Sequence, residues 1–266
     1  MTPQTRGVIY VAQGADYTAL ARQSAATLRS FEPDLPIDLF TDQDVTDPVF
    51  DQVGPIPDIC NRAKIAGMIE TRFDQTLFLD CDTVVLSNFG DVWDVLGRFD
   101  LAITHDVRRS SALIERGWQA PAPPEFCQHN SGVMLYNRSD RMLDFLRDWA
   151  ALYDRADVGR DQITLRDLLW NSDLRFWVLP PEWNLRRVTE LDAWEPLDAI
   201  PRILHSHQLL RHLRHGEDQI STMAEVLPLE RIALLQEWAT LADRVPALND
   251  ADPVERFRLA RANRTE

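Results

Sequence analysis

Two aspartates separated by one residue, Asp80 and Asp82, follow the apolar run at 76–79. Carboxylates this close repel each other unless a cation joins them. Oxygen ligands suit a hard divalent ion such as Mg²⁺ or Mn²⁺. Such an ion would in turn hold a diphosphate, which a chain of net charge −14 otherwise repels. As a bare pattern the pair also describes two turn residues after a strand. The apolar run ahead of it adds weight, because ligands of open α/β sheets bind outside the carboxyl ends of the strands.

Lysine usage singles out a second residue. Of 28 basic residues only Lys64 is a lysine, sixteen positions before Asp80. Nucleotide bias in the coding genome accounts for the arginines but not for where the one lysine stands. An ammonium is a compact point charge and a guanidinium a planar fork, so a retained lysine points to a geometric need. The bland alternative is a solvated helix face.

These residues need a scaffold, and the first half of the chain alternates strand and helix. Apolar, β-branched runs at 7–12, 37–40, 76–79, 84–86 and 101–104 read as strands. Helical spacing appears at 17–31 and at 59–73, where Ile65, Met68 and Ile69 share a stripe, and a shorter helix is expected at 89–96. Strand resumes at 132–136, 174–179 and 202–204, with helices at 141–153, 162–170, 229–241 and 253–262 and a linker at 245–253. This order predicts an α/β fold with an open, mostly parallel sheet and helices on both faces. The segment 107–130, with Arg108, Arg109 and a PAPP stretch, reads as a functional loop.

Composition bounds the class. The 266 residues are 45% hydrophobic and 26% charged, which is ordinary globular usage and argues against disorder. The acidic balance argues against nucleic-acid binding and against anionic lipid. Cys60, Cys81 and Cys127 are isolated, which argues against a disulfide-built module. The run GVIYVA near the start lacks a basic leader and a long apolar stretch, and no run is long enough to cross a membrane. A cytoplasmic protein without signal peptide or transmembrane segment is expected.

Two resemblances follow. The string Asp80-Cys81-Asp82-Thr83 after a hydrophobic strand resembles the haloacid-dehalogenase-like phosphatases, with Asp80 as nucleophile and Asp82 as general acid/base. That family needs a downstream lysine, and none follows Lys64. Its acidic metal motif should lie far downstream, whereas GDVWD at 90–94 follows at once, and two strand–helix units precede the acidic strand. It is the alternative reading.

The fuller resemblance uses five motifs in order: LFLDCDTVVL, HNSGVMLYN, GRDQITLRDLL, PPEWN and RILHSH. Together they resemble the retaining nucleotide-sugar glycosyltransferases of the glycogenin and bacterial galactosyltransferase type, glycosyltransferase family 8. The resemblance runs from the first strand to His207. It implies a Rossmann-like GT-A fold over 1–207, with 208–266 as a helical extension packed on it. It implies a metal-dependent enzyme that moves a sugar from a nucleotide-sugar donor, UDP-linked, to an unknown acceptor with retention. Mn²⁺ or Mg²⁺ would be held by Asp80, Asp82 and His205; an HxH pair by itself also suits zinc, and His207 is given no role. Lys64 would reach the diphosphate or donor sugar. Asn130 and Ser131, ahead of Gly132, would contact the sugar, with Asp106 near the acceptor. Asp161 would bind sugar hydroxyls and Gln162 would lie near the anomeric carbon, so Asp80, Asp161 and Gln162 are the catalytic candidates. Val11, Ala12, Gln13 and Tyr17 would hold the uracil. The family continues past its histidine with a glycine and a lysine that grip the diphosphate. Both are absent here, and Arg211 occupies the lysine's offset. A non-catalytic nucleotide-sugar binder is the third reading.

Overall fold

The computed structural model describes residues 4–108, 118–119, 122–195 and 197–244, with side chains to residue 237. Strands β1 (Arg6–Ala12), β2 (Ile37–Thr41), β3 (Gln52–Gly54), β4 (Gln75–Leu79), β6 (Leu101–His105), β7 (His129–Asn137) and β8 (Phe176–Leu179) form one sheet in the order β3-β2-β1-β4-β7-β6-β8. All pairs are parallel except those of β7, which runs antiparallel to β4 and β6. The expected mostly parallel α/β sheet is therefore present. Strands β5 (Thr83–Val85) and β9 (Ile203–His205) form a second, two-stranded sheet.

Alternation along the strands sets the two faces. Val8, Tyr10, Leu77, Leu79, Val133 and Leu135 enter one apolar cluster, together with Leu20, Ala21 and Leu28 of α1 (Ala15–Phe31). Ile9, Phe78, Met134 and Tyr136 point the other way, onto Ile65 and Met68 of α2 (Ala63–Ile69), Leu146 and Trp149 of α3 (Asp140–Ala156) and Leu165 of α4 (Asp161–Asn171). Trp149 is fully buried, and its Nε1 donates to the Asp161 carbonyl and to Thr164 Oγ1, both at 3.2 Å. Truncating such a tryptophan costs about 3–5 kcal/mol, and here it would also release the first turn of α4. After β9 come α5 (Arg211–His215) and α6 (Met223–Arg244). Ile220 and Val226 bury into a third cluster with Val84, Leu185 and Leu204.

Several elements differ from the sequence reading. The helix expected over 59–73 is confined to Ala63–Ile69, because residues before it are extended, as Arg62 is, and Phe73 returns to the sheet against Gly7. The helix at 89–96 is a 3₁₀ turn, Val92–Gly97. Strand β3 was missed: it is a half-exposed edge of three residues without an apolar period. The expected helix at 253–262, the linker at 245–253 and residues 109–117, 120 and 121 of the loop at 107–130 lie outside the described residues. No helix among the described residues is long and apolar enough to cross a membrane.

Candidate functional site

The site gathers at the carboxyl ends of β1 and β4, beside an irregularity in β7. The β6–β7 register breaks between Ile103 and Thr104: Ile103 faces Met134, but Thr104 faces Asn130. The surplus residues Ser131, Gly132 and Val133 bulge toward β4, a common device for re-aiming side chains beside a site. The Asp80 N–H donates to the Gly132 carbonyl at 2.8 Å, locking the end of β4 to the bulge. The chain then turns from Asp82 into β5, whose Thr83 faces His205 of β9. That short ladder brings together acids and an imidazole far apart in sequence.

Asp80, Asp82 and His205 offer ligand atoms that all lie within 4.8 Å of one another. His205 Nε2 is 3.2 Å from Asp82 Oδ1 and 3.6 Å from Asp80 Oδ2. His205 Nδ1 is 2.9 Å from Asn184 Oδ1. Asn184 Nδ2 donates to Thr104 Oγ1 and Asn130 Oδ1, both at 2.9 Å, so its Oδ1 is the acceptor. Nδ1 must then carry a proton, which leaves Nε2 as the ring atom facing the two carboxylates and available to a metal ion. This is the usual support for a metal-ligating histidine. A Cβ on Gly132 would stand 2.0 Å from His205 Cε1 and 2.8 Å from Asp80 Oδ2, so glycine leaves the space the ring fills. The donor set of two carboxylates and one imidazole fits a divalent ion. Burial favours the neutral acid at Asp82, but His205 and Arg186 outweigh it and hold the carboxyl far below the usual range.

A second cluster lies beside it. Lys64 Nζ is 2.8 Å from Ser131 Oγ, 3.0 Å from Asp161 Oδ2 and 3.6 Å from Asp80 Oδ1. Arg62 Nε donates to Asp161 Oδ2 at 2.7 Å, and Ser131 Oγ donates to Oδ1 at 3.0 Å. Burial would raise the Asp161 pKa, but Lys64 and Arg62 bring it down to about 2. Position 161 opens α4, where an acid is also favoured by the helix dipole. Gln162 Nε2 donates to Asp106 Oδ2 at 2.8 Å and to the His129 carbonyl at 2.9 Å. Asn130 Nδ2 reaches Asp106 Oδ2 at 3.4 Å. Burial pushes the Asp106 pKa up, but the Arg108 N–H, Gln162 and Arg186 leave it below its ordinary value.

These groups line one cavity of about 690 Å³, which Val11, Gln13 and Tyr17 share from the end of β1 and the start of α1. Tyr17 is 45% exposed and presents its ring at this edge. Two expected residues stand elsewhere. Ala12 is fully buried in the core cluster under α1. Arg211 does not line the cavity: its Nε and Nη2 donate to Glu217 at 2.8 and 2.6 Å. One helical turn on, Arg214 takes a place on the cavity wall instead.

Sequence reasoning missed Arg62, Asn184 and Arg186. Arg186 is buried and donates to the His205 carbonyl, with Nη2 2.9 Å from His207 Nε2. Burial lowers its pKa, while Asp82 and Asp106 pull it up. The motif PPEWN contained Asn184 as a string, and its amide bonds become visible only once the bulge brings Asn130 beside it. Among the described residues this triad is the one group of three acidic, histidine or cysteine ligands close enough to share an ion.

No protein-family model and no curated protein sequence matches the chain. Solved structures do. The glycosyltransferase GlyE of Streptococcus pneumoniae TIGR4 superposes with a TM-score of 0.56 at 18% identity, over 90% of this chain and 65% of that one. The galactosyltransferase LgtC, solved with donor and acceptor sugar analogs, gives 0.54 at 15% identity, over 76% of this chain and 87% of its own. Mouse xyloside xylosyltransferase 1 gives 0.51 at 13% identity, over 76% and 98%. The chain thus spans just under two thirds of GlyE. These likenesses establish a GT-A glycosyltransferase fold of the LgtC type.

Proposed function

We propose that the chain is a metal-dependent glycosyltransferase that moves a sugar, with retention, from a nucleoside-diphosphate sugar, UDP-linked, to a separate acceptor. The observation that carries this reading is the triad Asp80, Asp82 and His205, with Lys64 beside it at the carboxyl end of a central GT-A strand. A Mn²⁺ or Mg²⁺ ion held by the triad supplies Lewis acidity to a diphosphate leaving group. Lys64 adds a fixed positive charge at the same rim, aimed where the leaving group gains negative charge. The Tyr17 ring and the edge at Val11 and Gln13 offer a seat for the base. The joined side chains of Asp106, Gln162 and Asn130 present oriented polar atoms to a sugar ring. In a retaining route the incoming hydroxyl attacks from the leaving-group side. The departing phosphate oxygen then takes its proton, so no separate carboxylate base is needed.

Calorimetry with UDP, in Mn²⁺ and in EDTA, tests the reading. Binding is expected only with metal; equal binding in EDTA counts against it. With metal, slow hydrolysis of a UDP-sugar is expected and is lost in Asp80→Asn. Phosphate release from an aryl phosphate without UDP-sugar turnover would favour the phosphatase reading. UDP binding with no hydrolysis or transfer across an acceptor panel would favour a non-catalytic binder.

A further inference from the structure

The cavity has a charge problem that a nucleotide-sugar donor does not solve. Among the described residues, seven cationic side chains and four carboxylates line it, in a chain whose net charge is −14. A divalent ion at the triad matches the charge of a sugar-linked diphosphate, so the cationic surplus stays. Some of it has internal partners. Arg108 and Arg187 both meet Glu237 of α6, at 2.9 and 3.6 Å. Arg186 is buried against the His205 carbonyl. Arg62 and Arg160 are different. Arg62 uses its Nε on Asp161, while its side chain remains 42% exposed in the cavity. Among the described residues Arg160 makes only long contacts, 3.4 Å to Gln162 Oε1 and 4.0 Å to Asp106 Oδ2, and it is equally exposed. A half-used guanidinium fork is built for a planar or tetrahedral oxyanion.

We propose that the carbohydrate handled here bears an anionic group of its own, a carboxylate or a phosphate in addition to the donor diphosphate. Arg62 binds it from the Asp161 side and Arg160 from the Gln162 side. The inference rests on the glycosyltransferase reading for its substrate class, and on the arginine pair for its charge. Neutral sugars leave both forks facing water; an anionic one replaces that water with charge-assisted bonds at the point where the sugar ring would lie.

The test compares matched probes on the full chain: methyl glucuronide against methyl glucoside, glucose 6-phosphate against glucose, and UDP-glucuronate against UDP-glucose. Each pair is titrated with and without Mn²⁺ and UDP as appropriate. The anionic member of at least one pair is expected to bind about tenfold more tightly. That ratio is expected to fall below about threefold in Arg160→Gln, and likewise in Arg62→Gln. A preference confined to the UDP-linked pair puts the anion on the donor; one among the free sugars puts it on the acceptor; both support the proposal. Equal affinities within all three pairs overturn it, as does a preference that survives both substitutions. Metal-dependent UDP binding without any anion preference sinks this inference alone. An arginine-dependent anion preference without UDP binding sinks the glycosyltransferase reading and leaves the anion site standing.

Discussion

Asp82 and Asp161 are both buried aspartates on the wall of one cavity, and they are neutralised in opposite ways. Asp161 is compensated from within the chain, by Lys64 at 3.0 Å and Arg62 at 2.7 Å. Asp82 shares its corner with Asp80 and with an imidazole whose Nδ1 is already turned to Asn184. Two acids against one imidazole leave negative charge over at this corner. The difference shows how to separate a structural counter-ion from a ligand: by whether the surrounding network has already spent its cations.

The largest effects should fall on opposite readouts. Asp82→Ala or His205→Ala is expected to weaken Mn²⁺-dependent UDP binding at least about a hundredfold, about 2.7 kcal/mol or more. Asp161→Ala is expected to lower stability by about 3–5 kcal/mol, because it leaves Lys64 buried without its main partner. Chemical denaturation in EDTA and calorimetry in Mn²⁺ measure the two. If Asp161→Ala leaves stability unchanged, the carboxylate is not the counter-ion described.

Acid probes the Asp161 side of the comparison. The Asp161 pKa lies below its unfolded value of 3.8, at about 2. Its contribution is therefore full above pH 3.8 and is lost as pH falls through about 2, a change of about 2 kcal/mol. Stability of the protein minus that of Asp161→Asn, followed from pH 5 to 2, is expected to shrink across this window. A difference independent of pH would show that the folded-state pKa is not depressed.

The contrast was only half legible in the sequence. The apolar run ending at Asp80 exposed the acid pair, because a buried strand must end somewhere a ligand can reach. The single lysine exposed Lys64. What the residues could not show was pairing through space. The β7 bulge that aims Ser131 at both Lys64 and Asp161 has no local signature beyond Gly132. Arg62 was lost in a helix read as starting four residues too early, and as one arginine among many it carried no compositional mark. The open sheet followed from strand–helix alternation, but the antiparallel run of β7 depends on the long connection before it, which no periodicity reports.

Smaller substitutions probe how tightly the ligand corner is held. Asn184→Ala removes the acceptor for His205 Nδ1 and frees the ring to rotate or change tautomer. A loss of about 10–100-fold in Mn²⁺-dependent UDP affinity is expected. Gly132→Ala places a methyl where the His205 ring lies and should act on the same readout, at a stability cost of about 1–3 kcal/mol. If both variants bind UDP and metal normally, the imidazole is not a ligand and the corner is two acids alone.

The smallest effect concerns the one cation that the sequence placed at the diphosphate and the fold turns away. Arg211 spends its fork on Glu217, outside the cavity, whereas Arg214 lines it. Ahead of α5, the 3₁₀ turn His207–Leu210 buries Leu209 and Leu210. Arg211→Ala is therefore expected to change Mn²⁺-dependent UDP affinity by less than about twofold, and Arg214→Ala by about fivefold or more. The reverse order would mean that Arg211 leaves Glu217 when nucleotide binds. The lysine absent from the motif that this sequence resembles would then be replaced at its own offset rather than one turn later.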